Sequence, residues 1–198
     1  MRLTRKYEMT RRAAGVEATR RRIVEAAVEL HEDLGPARTT VKAIAERAGV
    51  QRLTVYRHFP DEVAMLTACS SRWAERNPRP DSTGWSGIGD PEKRLRVALE
   101  ALYIYYASEE KMIANSIRDA PLIPFVRDRA EKFERYLVEA GKELKKGWRV
   151  RGATKQHLST LLSHALRFET WHSLKQQGLA PSQAADLMAI AVTGVARR

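Results

Sequence analysis

The sequence predicts an all-α protein, with an N-terminal three-helix helix-turn-helix head and a larger C-terminal helical body. Three observations predict this fold. Apolar residues recur at helical spacing in nearly every segment, no stretch of useful length alternates with the period of two typical of a strand, and Gly and Pro residues separate the periodic segments. We expect the head, with a basic arm before it, to occupy residues 1–60 and the body to occupy residues 61–198.

The first helix is predicted over about residues 17–34. Its apolar residues fall at i, i+4, i+7 and i+11, which is one face of an α-helix: Ile23, Ala27, Leu30 and Leu34. Gly35 and Pro36 then favour a C-cap and a stop, because glycine tolerates the left-handed cap conformation and proline cannot continue the helix.

A second helix of only two turns is predicted next. Thr39 or Thr40 can cap its first turn and Gly49 can end it, around an apolar stripe of Val41, Ile44, Ala45 and Ala48. A short third helix follows the tight turn, and three apolar residues of this segment can face inward: Val50, Val55 and Phe59. Two short helices joined by a glycine-containing turn under a longer first helix are typical of a helix-turn-helix.

Helices also account for most of the body. The fourth helix is predicted over residues 61–75, with Asp61 as its N-cap and with apolar positions that include Val63, Leu66 and Trp73. Residues 77–90 are rich in Pro, Gly, Ser and Asp and are predicted to form a loop. The remaining helices are predicted over about residues 91–108, 109–119, 122–146, 155–176 and 182–196.

Composition limits the function classes. The 198 residues contain 35 Lys or Arg and 24 Asp or Glu, so the formal charge is +11 and an anionic partner is expected, such as nucleic acid or an anionic membrane surface. Residues 1–60 hold 13 of the basic and 7 of the acidic residues, a net charge of +6. The single Cys69, the lack of a signal-peptide core and the lack of a run of about 18 apolar residues predict a cytoplasmic protein without a membrane segment.

No pattern in the sequence predicts an enzyme, a cofactor or a metal site. There is no nucleophile–base arrangement and no glycine-rich phosphate loop. His157, His164 and His172 lie near one helical face, but no carboxylate or cysteine accompanies them at ligand spacing. A further cluster of cations at a helix end is expected to be stabilised by the helix dipole and solvent, although it leaves a second nucleic-acid surface open: Lys142, Lys145, Lys146, Arg149 and Arg151.

The helix-turn-helix indicates which residues would contact DNA, because its third helix presents outward side chains to a groove. Arg52 can bond bidentately to guanine and Gln51 can pair with adenine. An exposed Leu53 can touch a thymine methyl group, and Thr54 can bond a base or a phosphate. Residues on the two flanks are suited to hold phosphate oxygens: Thr40, Lys42, Tyr56, Arg57 and His58.

Each of these residues also has a simpler interpretation. Tyr56 and His58 can pack against the first helix, and Arg57 can belong to a solvated face. The basic arm and the start of the first helix can follow the DNA backbone or enter the minor groove, or the arm can be disordered: Arg2, Arg5, Lys6, Arg11, Arg12, Arg20, Arg21 and Arg22. Only the combination of these features favours DNA binding.

The stretch TTVKAIAERAGVQRLTVYRHFPDE, with the preceding RRRIVEAAVELHEDLG, resembles the DNA-binding head of the TetR-type transcriptional regulator family. The resemblance covers about residues 18–66, and nine residues stand where the family pattern has them: Thr40, Ile44, Ala45, Ala48, Gly49, Val50, Tyr56, His58 and Phe59. Two positions depart from it, because Gln51 replaces a small residue, often Ser, and Glu62 replaces a frequent Lys. The second departure argues against a phosphate contact from the fourth helix.

The resemblance implies a homodimer that inserts two third helices into successive major grooves of a double-stranded DNA operator. It also implies that the last two long helices, predicted over residues 155–176 and 182–196, form the dimer interface. Their apolar residues cover more than one stripe, and the expected contacts are Leu158, Leu162, Ala165, Leu187 and Ala191. The alternative is that both helices are simply buried in the body of one chain.

The resemblance further implies a body that binds a small-molecule effector and a protein that represses a promoter. The predicted ligand-binding residues are Trp73, Tyr103, Tyr106, Met112, Phe125 and Phe168, which favour an apolar or aromatic effector. Aromatic residues at helical spacing are more often core than pocket. Two other functions stay open: an architectural DNA-binding protein without an effector, and a DNA-targeted helical enzyme.

Overall fold

A computed structural model describes residues 2–197 of the chain, and their side chains from Arg12 onward. Those residues form ten α-helices and two short 3-10 helices, at Pro36–Arg38 and Ser82–Gly87, and contain no strand. The all-α prediction is therefore confirmed. The α-helices are α1 (Arg2–Asp33), α2 (Val41–Ala48), α3 (Arg52–His58), α4 (Glu62–Arg76), α5 (Pro91–Ser108), α6 (Glu110–Asp119), α7 (Pro124–Leu144), α8 (Gly152–Ala165), α9 (Phe168–Gln176) and α10 (Pro181–Ala196).

The first helix is longer than its sequence pattern indicated. It begins at Arg2 instead of near residue 17, because the residues before Glu17 include good helix formers and no proline to stop it. It ends at Asp33, so Leu34 lies beyond the helix and is exposed, contrary to its predicted place on the apolar face. The arm side chains of Arg2, Arg5, Lys6 and Arg11 lie outside the residues whose side chains the structure describes.

The chain divides into two compact units. The first comprises the part up to Pro78 together with Lys111–Arg127, and the second comprises Arg79–Glu110 and the part from Asp128 onward. In the first unit, α1 packs against α2 and α4, and a single apolar core joins them. That core includes Ile23, Ala27, Ile44, Ala45, Val55, Phe59, Met65 and Cys69.

Helix α6 closes the C-terminal end of α1 within the first unit. The side-chain amide of Asn115 donates to the carbonyl oxygens of His31 (3.2 Å) and Glu32 (2.8 Å), and Arg118 donates to that of Leu34 (2.7 Å). These bonds add to the one that the backbone N–H of Gly35 donates to His31 (3.0 Å), and they supply donors at a helix end, where carbonyl groups lose their helical partners. The buried carboxylate of Asp119 accepts from Arg118 (2.7 Å) and from the backbone N–H of Ala37 (3.0 Å), which fixes the turn between α1 and α2.

Helix α5 is the centre of the second unit. Asp90 caps it by accepting from the backbone N–H groups of Glu92 and Lys93, and its fully buried residues include Leu95, Ala98, Leu99 and Leu102. Helix α10 packs against α5, α8 and α9. The predicted loop at residues 77–90 contains the second 3-10 helix, which buries Trp85 against the start of α5.

The helix predicted over residues 155–176 is two helices. Helix α8 ends at Ala165 and α9 begins at Phe168. The hydroxyl groups of Tyr103 and Tyr106 on α5 donate to the carbonyl oxygens of Ala165 and Leu166, each at 2.7 Å. In a continuous helix these two carbonyl oxygens would accept from backbone N–H groups of the next turn. The tyrosines on α5 therefore stabilise a helix break at which the sequence has no proline or glycine.

One further prediction is wrong in detail. Val63 was expected on the apolar face of α4, but its side chain is exposed, whereas Leu66 is buried and Trp73 is half-buried. Among residues 2–197, no single helix is both long and apolar enough to cross a membrane. One bent pair, α9 with α10 at 116°, meets the criteria of length and composition only when the two helices are taken together.

Candidate nucleic-acid interface

Local hydrogen bonds at both ends of α2 shape the helix-turn-helix. The Thr40 hydroxyl caps α2 by accepting from the backbone N–H of Ala43 at 3.1 Å. Gly49 ends α2 in the left-handed conformation, with φ +64° and ψ +42°, which L-residues with a side chain adopt only at a cost. The backbone N–H of Val50 then donates to Ala45 at 2.9 Å, which directs the chain into α3.

Two apolar side chains hold α3 in place. Val55 and Phe59 are almost completely buried in the core of the first unit, and Val50 is half-buried beside them. The guanidinium of Arg20 on α1 lies over the ring of Phe59. Because one face of this seven-residue helix is locked in the core, its other face is fixed in direction.

That other face forms a row of exposed residues, which we call the reading face: Gln51, Arg52, Leu53, Tyr56 and Arg57. Leu53 is 68% exposed and Tyr56 is 53% exposed. The side chains of Gln51, Arg52 and Tyr56 form no hydrogen bond or ion pair with another residue of the described part of the chain. They are available to a ligand.

The remaining predicted DNA contacts are partly engaged within the head. Thr54 is half-buried, and its hydroxyl accepts from the guanidinium of Arg57 at 3.2 Å. His58 is half-buried, with its ring 6.5 Å from that of Phe59. Lys42 is exposed and only loosely paired with Glu46, at 3.8 Å. The Thr40 hydroxyl accepts in its cap, so its own hydrogen remains free to donate to a phosphate.

This head matches the family described as bacterial regulatory proteins of the tetR family, over residues 23–69. The match covers less than half of the chain and identifies its head as similar to a tetR-type domain. No curated protein sequence matches the chain. The two short helices of the predicted helix-turn-helix are present in this head, as α2 and α3.

Solved structures show the same fold along most of the chain. A TetR-like transcriptional regulator from Rhodococcus sp. RHA1 is 20% identical, with a TM-score of 0.62, and the match covers 91% of this chain and 97% of that one. AibR, in complex with isovaleryl coenzyme A and operator DNA, is 20% identical with a TM-score of 0.61, over 87% of this chain and 97% of its own. The SmeT–triclosan complex is 20% identical with a TM-score of 0.64, and the match covers 89% of this chain and 90% of that one.

The six predicted ligand-binding residues fall in different units. Trp73 and Met112 are half-buried against the core of the first unit, and Phe125 belongs to that unit as well. Tyr103, Tyr106 and Phe168 are buried in the second unit. Burial raises the pKa of the two tyrosines above the ordinary value, and their hydroxyl groups already donate to α8 and the residue that follows it.

Sequence reasoning missed most of an aromatic cluster around Tyr106. The ring of Tyr106 lies 5.5 Å from Phe168, 6.0 Å from Trp171 and 6.2 Å from Phe133. The buried indole nitrogen of Trp171 has no hydrogen-bond partner, and the ring of His172 stacks on Phe168 at 5.4 Å. Only the aromatic spacing of α7 and α9 could have indicated the cluster, and core helices show the same spacing.

The predicted dimer contacts also divide. Leu158, Leu162 and Ala165 on α8 are buried within the chain itself. Leu187 and Ala191 lie on the exposed side of α10, together with Ile190 and Gly194. Leu187 is 45% exposed and Ile190 is 62% exposed, whereas the opposite side of α10 is buried at Ala184, Ala185, Met188, Ala189 and Val192. We call the exposed side, from Leu187 to Gly194, the outer face of α10.

Proposed function

We propose that the chain is a transcriptional repressor that binds a palindromic operator as a homodimer and that a small effector releases it from DNA. The observation that carries this proposal is the reading face, a row of exposed side chains on a helix that Val55 and Phe59 hold against the core. In this row, Gln51, Arg52 and Tyr56 have no partner within the described part of the chain. Rigid placement matters because base recognition depends on bidentate geometry. Val55 within α3 and Phe59 at its C-cap supply this rigid placement.

Within the reading face, each residue type has a different task. The Arg52 guanidinium suits guanine, Gln51 suits adenine, and the exposed Leu53 suits a thymine methyl group. Tyr56 and Arg57, with Thr40, Lys42 and His58 on the flanks, would bond phosphate oxygens and set the register of the helix. Thr54 is engaged by Arg57, so we assign it to positioning Arg57 as well as to DNA contact.

A homodimer follows from the shortness of α3, since one helix of seven residues reads too few base pairs for specificity. The outer face of α10 supports this part of the proposal. It leaves Leu187 and Ile190 in contact with water, and Gly194 has open space beside it, which permits close approach of a second helix. Leu158, Leu162 and Ala165 would support this interface from inside the chain instead of contacting the partner.

For the effector, we propose the aromatic cluster of the second unit as the binding site. The Trp171 indole N–H is a buried donor without an acceptor, which is unfavourable unless a ligand supplies one. The surrounding rings of Tyr106, Phe133 and Phe168 offer apolar area. We therefore expect an apolar or aromatic effector that carries one hydrogen-bond acceptor. Two of the similar structures are described with a small molecule bound.

The first experiment is selection of bound duplexes from a random DNA pool, with the full-length protein. An inverted repeat should emerge, with half-sites about one helical turn or a multiple of it apart. Arg52→Ala should lose the preference at one position of each half-site, whereas Arg129→Ala, an exposed arginine of α7, should select the same sequence as the parent. A parent protein that enriches no sequence would overturn the proposal.

The second experiment separates a ligand-responsive regulator from an architectural DNA-binding protein. Small molecules that bind the protein are titrated by calorimetry, with and without the selected operator. Coupling of about 1 to 3 kcal/mol, roughly 5- to 150-fold in affinity, is typical when two sites communicate. Trp171→Phe should weaken effector binding and leave operator binding unchanged. Equal effector affinities in the two titrations would favour the architectural alternative, and chemical turnover of the compound would favour an enzyme.

A further inference from the structure

The excess positive charge of the chain lies in two segments of the sequence. Residues 1–60 carry a net charge of +6, and residues 142–155 carry six Lys or Arg and one Glu, a net charge of +5. Because the whole chain has a formal charge of +11, the other 124 residues are neutral in sum. The first segment belongs to the head. The second, which we call the basic turn, has no role in the function proposed above.

Four cations of the basic turn have no acidic partner among the residues that the structure describes: Lys145, Arg149, Arg151 and Lys155. All four are exposed. Lys142 and Lys146 differ from them, since they pair with Glu139 at 2.7 Å and Glu143 at 2.6 Å. The turn therefore presents charge that its own surroundings do not neutralise.

The fold does not account for all of this charge. Lys145 follows the C-terminal end of α7, where the helix dipole favours a cation. Arg151, however, is the N-cap residue of α8, and Lys155 lies in the first turn of that helix, which contains no acidic residue. A cation at a helix N-terminus is unfavourable. An anion outside the chain would remove this penalty.

Buried contacts hold the basic turn in place. The guanidinium of Arg94, on α5, is buried beneath the turn and donates to the carbonyl oxygens of Lys146 and Ile88, the latter at 2.8 Å. The indole N–H of Trp148 donates to the carbonyl oxygen of Leu144 at 2.8 Å. Arg94 adds a further positive charge below the exposed ones, and the backbone that carries them is anchored at two points.

We propose that the basic turn is a second contact surface for the phosphate backbone of duplex DNA. It has no exposed large apolar side chain, since Trp148 and Val150 are half-buried, so it lacks the apolar centre of a protein interface and the apolar face of a membrane-binding helix. Exposed cations alone suit a polyanion with regularly spaced charges. The choice of duplex DNA rests on the proposed function, because the head brings the chain to that polymer.

The test compares two triple variants with the same change of charge and the same residue types. The first is Arg149→Gln, Arg151→Gln and Lys155→Gln in the basic turn. The matched control is Arg129→Gln, Lys132→Gln and Arg135→Gln, which removes three exposed cations from α7. Affinity for a duplex of scrambled sequence is measured by fluorescence anisotropy at several salt concentrations, with full-length protein.

In a plot of log affinity against log salt concentration, each lost phosphate contact makes the slope shallower by about 0.9. The slope of the basic-turn triple should therefore be shallower than that of the parent by about 2.7 per subunit. The control triple should keep the parental slope. A second variant that conserves charge, Arg149→Lys with Arg151→Lys, should also keep it, which separates loss of charge from loss of folding. Equal slopes for both triples would overturn the inference.

The outcome also separates this inference from the proposed function. If the parent selects an operator but both triples have its salt dependence, the repressor proposal stands and only the basic turn is misassigned. If the parent selects no operator but the basic-turn triple still loses affinity for scrambled DNA, the inference about the basic turn stands and the repressor proposal is overturned. Loss of binding to phosphatidylserine vesicles by the basic-turn triple, with unchanged DNA slopes, would overturn the inference in favour of a membrane surface.

Discussion

The guanidinium of Arg20 lies 4.9 Å from the centre of the Phe59 ring, so the first helix holds the residue that ends the third. This contact joins the middle of α1 to the C-cap of α3, and Phe59 beneath it is buried in the core of the head. The position of the reading face therefore depends on Phe59, a buried side chain that is not among the proposed DNA contacts.

Phe59→Ala should remove this anchor and destabilise the protein by about 3 to 5 kcal/mol, because a large buried ring leaves a cavity. Arg20→Met, which keeps the packing but loses the cation–π contact, should cost only about 0.5 to 1 kcal/mol. Urea unfolding followed by circular dichroism measures both. Leu122→Ala, at a side chain that is 70% exposed, serves as the control and should stay within about 0.5 kcal/mol of the parent.

Gly49→Ala should destabilise the head by about 1 to 2 kcal/mol, since φ is +64° at this position and an alanine side chain disfavours that conformation. No atom would clash with the added methyl group, so the cost is conformational only. Gly84→Ala, where the space is also open but φ is not positive, should change the free energy of unfolding by less than about 0.5 kcal/mol. Equal losses would show that strain at Gly49 is not the cause.

Arg52→Ala and Tyr56→Phe should weaken DNA binding in different ways. Loss of Arg52 should cost about 1 to 3 kcal/mol on the selected operator and little on scrambled DNA, because it removes a base contact. Loss of the Tyr56 hydroxyl should weaken both complexes alike, because a phosphate bond carries no sequence information. Anisotropy titrations with the two duplexes distinguish these patterns. Equal losses on both duplexes for Arg52→Ala would show that it is not a reader.

Ile190→Glu and Leu162→Glu should have opposite consequences. Ile190 is 62% exposed on the outer face of α10, so a carboxylate there should leave each chain folded but dissociate the proposed dimer. Leu162 has no exposed surface, so Leu162→Glu buries an unpaired charge and should unfold the body itself, at a cost of several kcal/mol. Light scattering and circular dichroism report size and folding separately. If Ile190→Glu remains a dimer, the outer face of α10 is not the dimer interface.

His31 should make the stability of the head depend on pH. Burial lowers the pKa of His31 from 6.5 to about 4, and the Asp119 carboxylate opposes this only in part. The folded state therefore binds the proton less readily than the unfolded chain does. The contribution of neutral His31 to the free energy of unfolding is complete above about pH 6.5 and is lost as the pH falls towards 4. Between pH 7 and pH 4.5 the loss should be about 2 to 3 kcal/mol.

His31→Leu should remove that part of the pH dependence, as measured by urea unfolding at the two pH values. Asp119 does not interfere in this window. Burial acts to raise its pKa, but hydrogen bonds from Arg118 and Ala37 outweigh burial and hold the pKa below the ordinary 3.8. Its own contribution is therefore lost only at lower pH. An unchanged difference between pH 7 and pH 4.5 in His31→Leu would mean that another group titrates.

The sequence by itself determined the parts of this protein that depend on neighbouring residues. The Thr40 and Asp61 caps, the left-handed Gly49, the inward Val55 and Phe59 and the outward Leu53 all follow from spacing within a few turns of helix. Capping, glycine conformation and helical periodicity act over fewer than ten residues, so the head and its reading face could be predicted without knowledge of the rest of the chain.

Only the tertiary structure decided the features that join distant residues. The break after Ala165 depends on Tyr103, 62 positions away, and the end of α1 depends on Asn115, 84 positions from His31. Periodicity predicted that α8 and α10 are apolar, but not which of their sides the chain itself buries, because that choice depends on where α5 lies. The same limit applies to the aromatic cluster, whose rings come from three helices. That the indole nitrogen of Trp171 has no hydrogen-bond partner can be recognised only when these helices are packed together.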